Sequence, residues 1–140
     1  MAFFTKNAGS PEVSRLYVLD IELPSGMKVI KIGKSSGHSS LDRMLQIQRS
    51  YYHSYRTTFI CNIKRDRKCE DVFKYETELH RFFSEFSYKA KVAFDGSTEL
   101  FAVPISDAVE AYEYLLDNGL GSLDEYEYEL PTLDIDELPF

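Results

Sequence analysis

A glutamate and a histidine stand one helical turn apart on the apolar face of a predicted helix. Apolar residues at steps of three and four predict a helix from Cys69 to Phe86, with Glu76 and His80 on its buried face. A carboxylate in that position is costly unless it is paired with a cation or bound to a metal. Glu-x-x-x-His is also a metal-ligand spacing. Two interpretations stay open: a metal site, or a buried glutamate tied to an arginine beside a core histidine.

Hydroxyl and ammonium groups occur in two predicted strands closer to the N-terminus. Leu16 to Lys34 has the sequence LYVLDIELPSGMKVIKIGK, in which β-branched and aromatic residues flank a Pro-Ser-Gly turn. This composition predicts a β-hairpin, which is too apolar to stand alone and needs helices to cover it. Tyr17 lies inside the first strand and Lys31 near the end of the second. An apolar strand rarely ends in Lys-x-Gly-Lys for packing reasons alone.

The remaining segments predict the elements that position these groups. Ser39 or Ser40 is the N-cap candidate for a helix with Arg43 in its first turn. The other predicted elements, in chain order, are a strand at Tyr55 to Ile63, a charged turn at Lys64 to Lys68, a small hairpin of KVAF and TELFAV, and a helix that Ser106 caps and Gly119 ends. The fold class is therefore α+β: a small mixed or antiparallel sheet, made of the N-terminal hairpin and the third strand, flanked by helices.

Acidic residues are concentrated at the C-terminal end of the 140-residue chain. Eight carboxylates and no basic residue occur from Asp117 onward, which accounts for the whole formal net charge of −7 and leaves the preceding residues close to neutral. We predict a lead-in at 1–13, one domain at 14–119 and an acidic tail at 120–140. Apolar and aromatic residues between the tail's acids favour either a strap packed on the domain or a segment that covers a basic surface and competes with phosphate.

Several other classes of protein are excluded by composition. No apolar run is long enough to span a membrane, and the N-terminus lacks the basic region of a signal peptide. Cys61 and Cys69 form no CxxC motif and have no histidine at zinc spacing. Two reduced structural thiols and a cytoplasmic location are therefore the expectation.

Five short motifs resemble the landmarks of the GIY-YIG nuclease superfamily. In chain order they are Arg15-Leu16-Tyr17, Lys31-Ile32-Gly33 followed by Lys34, Leu41-Asp42-Arg43, ETELHRFF from Glu76 to Phe83, and Glu99-Leu100-Phe101. Lysine in place of the second motif's tyrosine is similar to the phage-associated branch, which often has KIG for YIG. The other departures are Arg15 for the leading glycine, Leu16 for isoleucine and Leu100 for an aromatic residue. The Lys31 change matters most, because it removes a hydroxyl from the expected centre.

The resemblance implies a metal-dependent endonuclease that hydrolyses phosphodiester bonds of DNA, in the host-cell cytoplasm if the protein is phage-encoded. Glu76 would hold Mg²⁺ (or Mn²⁺), and Arg43 would bind a phosphate oxygen through its guanidinium. Tyr17 would act as the general base or position the water, and Lys31 would lower the tyrosine pKa from its usual value of about 10. His80 would belong to the same centre.

Basic residues interleaved with tyrosines predict a surface that contacts phosphate. The candidates are Lys34, Arg49, Arg56, Lys64, Arg65 and Arg67. DNA is the expected partner, a protein could bind the acidic tail, and no membrane is involved. Two alternatives to the endonuclease remain: a non-catalytic nucleic-acid-binding module with the same fold, and an interaction protein that acts through its acidic tail.

Overall fold

A computed structural model describes residues 14–128 as a four-stranded antiparallel sheet with three α-helices. The strands are β1 (Ser14–Glu22), β2 (Lys28–Ser36), β3 (Ile60–Lys68) and β4 (Leu100–Phe101), in the order β3-β1-β2-β4. The helices are α1 (Leu41–Tyr55), α2 (Val72–Phe82) and α3 (Ile105–Asn118), with 3-10 turns at Ser84–Phe86, Ser97–Glu99 and Ser122–Glu125. The predicted α+β class is confirmed. The lead-in at 1–13 and tail residues 129–140 lie outside the described residues.

The N-terminal hairpin forms where the sequence predicts it. Its turn closes with a hydrogen bond of 2.8 Å from the Leu23 N–H to the Met27 carbonyl. Gly26 has φ +91° in this turn, a left-handed conformation that favours glycine. The antiparallel register places Tyr17 opposite Gly33. The turn therefore decides which side chains of β1 and β2 face each other.

Both faces of the hairpin are covered. One face buries Leu16, Val18, Ile30 and Ile32 in a core shared with α2 and α3. The opposite face buries a second group with α1 and the segment before β4, and its strand residues are Tyr17, Leu19, Ile21 and Val29. Strands buried on both sides are apolar throughout rather than alternating with polar residues, which is the pattern of this hairpin. The prediction that helices cover the hairpin is confirmed.

The third strand differs from its prediction at both ends. The sequence predicts a strand at residues 55–63 and a charged turn from Lys64 to Lys68. In the structure α1 continues to Tyr55, and β3 covers Ile60–Lys68. The cause is the place of β3 at the edge of the sheet, with β1 as its single strand neighbour. Charged side chains are tolerated, and even favoured, on edge strands.

The other element boundaries need smaller corrections. Only Leu100–Phe101 of the predicted KVAF/TELFAV hairpin is a strand, and it pairs with β2. Helix α2 ends at Phe82, and a separate 3-10 turn follows it at Ser84–Phe86. Helix α3 begins at Ile105 after Pro104, so Ser106 lies inside the helix and is not its cap. Ser40 is the residue before α1, where the Asp66 carboxylate accepts its N–H at 2.8 Å.

The chain continues to pack beyond Gly121, within the first part of the acidic tail predicted at 120–140. Leu123 is buried in the core beside α2 and α3. Tyr126 and Tyr128 pack against the same core, and their hydroxyls bond to acids of α3. The segment Ser122–Tyr128, called the strap below, therefore belongs to the packed structure. Leu123, Tyr126 and Tyr128 hold this segment on the core, although acidic residues lie between them in the sequence.

Two findings concern the broad class of the protein. Within residues 14–128 no helix combines the length and apolar character that crossing a bilayer requires. Cys61 and Cys69 are free thiols, and burial raises the pKa of both. Within residues 14–128 this agrees with the prediction of two structural thiols, and the raised pKa makes both poor nucleophiles.

Candidate active site

The site lies at the outer edge of β2, where β4 stops. Strand β4 pairs with β2 only at Ile30 and Lys31. Beyond that point a side chain of α2 takes the place of a strand, because the His80 Nε2 lies 2.7 Å from the Ile32 carbonyl oxygen. A carbonyl only accepts, so Nε2 carries the proton and Nδ1 keeps a free lone pair. The short β4 thus opens the sheet edge to residues of a helix.

Tyr17 lies at the centre of this region and is 1 % exposed. Its ring crosses the backbone of Gly33, where an added Cβ would lie within 3.0 Å of three atoms of the ring and hydroxyl. Glycine is therefore required at this point of β2. The Tyr17 hydroxyl has no hydrogen-bond partner among the described residues. Burial without a partner is costly for a hydroxyl and is found mostly where it has a task.

The surroundings raise the pKa of the Tyr17 hydroxyl well above its usual value of about 10. Burial is the main cause, and the charges of Glu99 and Glu76 add to it, while Arg43 acts in the opposite direction. The prediction that Lys31 lowers this pKa is wrong. The Lys31 ammonium lies 5.6 Å from the centre of the Tyr17 ring, but it is paired with Glu99.

Lys31 is fully buried and forms an ion pair with Glu99, the residue directly before β4. Burial lowers the Lys31 pKa, and the negative charge of Glu99 opposes that shift. Gly96 allows this contact, since a Cβ at that position would lie 2.7 Å from the Lys31 Cε. The lysine in place of the second motif's tyrosine therefore has a dedicated partner in the fold.

Glu76 projects from α2 into the same region and is 4 % exposed. Its Oε1 lies 3.3 Å from the ammonium of Lys34, whose side chain is 44 % exposed. The other oxygen, Oε2, is buried without a hydrogen-bond partner among the described residues. The buried glutamate thus pairs with a lysine rather than with the arginine considered from the sequence, and half of its acceptor capacity is unused.

Glu76, His80 and Glu99 could hold a metal ion together. One ligand atom of each residue lies within 4.8 Å of the other two. Two carboxylates and an imidazole are a donor set that divalent cations accept. The unpaired Oε2 of Glu76 fits the same interpretation, because an ion would supply the missing partner. The residues present therefore fit a divalent cation.

Arg43 approaches from the first turn of α1. Its guanidinium acts on the Tyr17 hydroxyl both by its charge and by a side-chain contact, which lower the hydroxyl pKa. The contact is too poorly aligned to satisfy the hydroxyl as a hydrogen bond. Its other contacts are long: 3.4 Å to the Gln46 Oε1 and 3.8 Å to the Asp95 Oδ2. All five predicted catalytic residues meet in one centre, which contains Tyr17, Lys31, Arg43, Glu76 and His80.

A family model described as the T5orf172 domain matches residues 15–116, well over half of the chain. The chain belongs to the T5orf172 domain family. This family is phage-associated and related to nucleases, which is consistent with a nuclease or DNA-binding role and with DNA as the substrate class. No curated protein and no solved structure matches the chain significantly.

Every side chain of the centre lies inside the T5orf172 match, including two that the sequence did not assign to catalysis. Glu99 is the first residue of the Glu-Leu-Phe motif, and that motif is the signal by which the sequence could identify it. Lys34 was assigned to phosphate contact, and the structure places it beside Glu76. Both residues are brought in by contacts between elements distant in the chain.

The other predicted phosphate contacts of this T5orf172 domain divide into two groups. Arg65 and Arg67 pair with Glu113 of α3, and Arg67 also lies 3.7 Å from Asp117. Their charges are therefore partly neutralised. The other three, all exposed, form no ion pair within residues 14–128: Arg49, Arg56 and Lys64.

Proposed function

We propose that this T5orf172 domain is a metal-dependent endonuclease of the GIY-YIG type that hydrolyses phosphodiester bonds of DNA. The observation that supports it best is that, of the four buried side-chain polar atoms without a hydrogen-bond partner within residues 14–128, two lie in one centre: the Tyr17 hydroxyl and the Glu76 Oε2. Such atoms are expensive to bury, and substrate, water or a cation would satisfy them. The motifs that resemble GIY-YIG nucleases contain both residues.

Glu76, with its free oxygen, is the residue that would hold Mg²⁺ or Mn²⁺. A divalent cation bound there supplies positive charge for the phosphate and for the leaving 3′ oxygen. Lys34, 3.3 Å from the same carboxylate and exposed, can turn its ammonium toward a phosphate without leaving a buried charge behind. Substrate would therefore enter from the side of Lys34.

Tyr17 acts as a positioning group for water rather than as a base. Since the pKa of its hydroxyl is raised, the phenol keeps its proton at neutral pH. A neutral hydroxyl accepts one hydrogen bond from the attacking water and donates its own proton to a phosphate oxygen. Both bonds are open, because the hydroxyl has no partner among the described residues.

Arg43 binds a non-bridging phosphate oxygen. Its long contacts to Gln46 and Asp95 leave the guanidinium free to change partner when phosphate arrives. A charge-assisted bond to phosphate is stronger than either of these contacts. Lys31 has a different part: it is fully buried and paired, so it balances the charge of Glu99 and does not touch substrate.

The proposal is tested by nicking of supercoiled plasmid in Mg²⁺ or Mn²⁺. Wild-type protein should convert plasmid to nicked and linear forms, and Glu76→Ala should not, while duplex binding and the circular dichroism spectrum persist. Glu85→Ala, at an exposed position of the turn after α2, is the matched control and should cut normally. Undiminished cleavage by Glu76→Ala would rule out this centre.

A non-catalytic nucleic-acid-binding module is the second candidate. The observation that favours it is Lys31, which replaces a hydroxyl of the expected centre and is fully engaged with Glu99. Wild-type protein that binds duplex DNA but leaves plasmid intact with either cation would establish this alternative. The interaction role of the acidic tail concerns mainly residues 129–140, which lie outside the described part of the chain.

A further inference from the structure

We propose that Glu76, His80 and Glu99 form a three-ligand site that binds a first-row transition-metal dication, with Mn²⁺ bound more tightly than Mg²⁺. The inference rests on the proposed nuclease function for what the ion does, but not for whether it binds. It departs from the expectation of a single glutamate ligand, because two further residues from α2 and from the start of β4 contribute.

The spacing of the three side chains suits one ion. Ligand atoms lie about 2.0–2.2 Å from a common dication, so opposite ligands are about 4.0–4.4 Å apart and adjacent ones about 3 Å. The candidate ligand atoms of Glu76, His80 and Glu99 lie within 4.8 Å of one another, so a bound ion would draw them closer together. These atoms come from two elements that β2 holds in place, so the site is largely preformed.

His80 makes the type of backbone hydrogen bond that metal-binding histidines usually make. Its Nε2–H donates to the Ile32 carbonyl at 2.7 Å, which fixes the ring and leaves the Nδ1 lone pair free. Ligating histidines almost always donate their other ring N–H to a carbonyl or a carboxylate. The hydrogen bond at the sheet edge therefore serves the fold and prepares a ligand at the same time.

Free carboxylate oxygens at the site also favour a cation. Glu76 is more than nine-tenths buried, and its Oε2 has no partner among the described residues. Glu99 uses Oε1 for Lys31, which leaves its second carboxylate oxygen as a ligand. The formal charge of Glu76 is matched by Lys34 only through a 3.3 Å contact from an exposed side chain, which can swing away when a cation binds.

The imidazole decides the preference among metals. Mg²⁺ takes oxygen ligands in near-ideal octahedral geometry and retains several waters. Imidazole suits transition metals, and Mn²⁺ accepts carboxylates as well. A donor set with His80 should therefore select Mn²⁺ over Mg²⁺, whereas Glu76 alone would not.

The test measures Mn²⁺ binding to the full-length, metal-free protein. Electron paramagnetic resonance detects the free ion, and competition with Mg²⁺ gives the affinity for Mg²⁺. We expect wild type to bind Mn²⁺ at least about tenfold more tightly than Mg²⁺. His80→Gln should lose at least about tenfold in Mn²⁺ affinity and almost nothing in Mg²⁺ affinity, since even the loss of a residue that only hydrogen-bonds to a ligand costs about 10–100-fold. Weak binding of Mn²⁺ to the acidic tail is the same in both proteins and cancels.

His53→Gln is the matched control, because His53 is exposed near the end of α1 and should leave both affinities unchanged. Glu99→Gln alone would leave the buried Lys31 charge without a counterion and could unfold the protein. The double variant Lys31→Met/Glu99→Gln removes both charges and should lose at least about tenfold in Mn²⁺ affinity while keeping its circular dichroism spectrum.

The outcomes separate this inference from the nuclease proposal. Equal affinity for Mn²⁺ and Mg²⁺, or unchanged Mn²⁺ affinity in His80→Gln, would overturn the three-ligand site even if the protein cuts DNA with Mg²⁺. Tight Mn²⁺ binding that depends on His80, in a protein that cuts no DNA, would support the site and reject the nuclease.

Discussion

Two tyrosines are buried on opposite faces of the sheet, and only one has its hydroxyl satisfied. Tyr112 of α3 reaches between β1 and β3, where its hydroxyl donates to the Leu16 carbonyl at 2.7 Å and accepts the Arg67 N–H at 3.1 Å. Tyr17 is just as deeply buried, but its hydroxyl has no partner among the described residues. Burial raises the pKa of both.

Two glutamates of α2 repeat this contrast. Glu78 accepts the N–H of Gly121 at 2.8 Å and that of Leu123 at 3.3 Å, and so holds the strap on the core. Glu76, two residues earlier, has no hydrogen-bond partner for its Oε2 within residues 14–128. Buried polar groups that stabilise a fold are satisfied within it. The difference therefore separates residues that hold the structure from residues that await a ligand.

The largest effects are expected when each of the two glutamates is replaced by glutamine. Glu76→Gln removes the ligand charge and should lower the cleavage rate by about 10²–10³-fold with little change in stability. Glu78→Gln should keep the rate but lower the free energy of unfolding by about 1–3 kcal/mol, because the amide cannot accept both N–H groups equally well. Plasmid nicking and urea unfolding of both variants measure the two effects. Equal losses of stability would mean that Glu76 also holds the fold.

Substitutions of the two buried tyrosines should likewise affect either cleavage or stability, but not both. Tyr17→Phe should lower the cleavage rate by about 10²–10³-fold, because a hydrogen-bond donor to the transition state is lost. Its stability should be unchanged or slightly higher, since an unsatisfied hydroxyl is removed. Tyr112→Phe should keep the rate and lose about 1–3 kcal/mol, because the Leu16 carbonyl and the Arg67 N–H lose their common partner. A Tyr112→Phe protein as stable as wild type would show that water replaces the hydroxyl.

Gly33→Ala tests the position of the Tyr17 ring by changing the backbone residue that the ring crosses. The new methyl group would displace the Tyr17 ring, which should cost about 1–3 kcal/mol of stability and reduce cleavage as Tyr17→Phe does. Gly37→Ala is the control for backbone strain alone. No atom lies within 4 Å of its Cβ position, so the alanine would be unfavourable only because φ is +104°. Normal cleavage by Gly33→Ala would contradict the proposed position of the ring.

The raised pKa values predict a loss of stability at high pH. The folded state holds the protons of Tyr17 and Tyr112 to higher pH than the unfolded chain does. Their contribution is therefore complete below about pH 10 and is lost above it, at about 1.4 kcal/mol per pH unit for each tyrosine. Urea unfolding from about pH 8 to about pH 11 should show a shallower decline in Tyr17→Phe. Tyr52→Phe, at an exposed position, should follow wild type.

The smallest effect is expected from the acidic tail. Truncation after Gly121 would remove Leu123 from the core, so it tests stability rather than masking. Truncation after Tyr128 keeps the strap and removes four acids. If those acids cover a basic surface, duplex affinity should rise in low salt and the gain should vanish as salt increases. Unchanged affinity at low salt, in a folded protein, would leave partner binding as the interpretation of the tail.

Much of the centre could be predicted from the sequence because its signals are local. Alternation and a Pro-Ser-Gly turn determine the hairpin that carries Tyr17, and steps of three and four determine the helix that carries Glu76 and His80. Arg43 follows a recognisable helix start. In each case the residues that define the element are neighbours in the chain, so their pattern is visible without the fold.

Only the tertiary structure decided the rest, because contacts between distant residues determine it. Edge position, not composition, makes a strand of Lys64 to Lys68. Glu99 enters the centre by pairing with Lys31, 68 residues away, and Leu123 joins the core through Glu78. Burial, which depends on every packed element, raises the Tyr17 pKa although a lysine lies nearby. Sequence spacing determines which groups share an element, whereas packing determines which groups find partners.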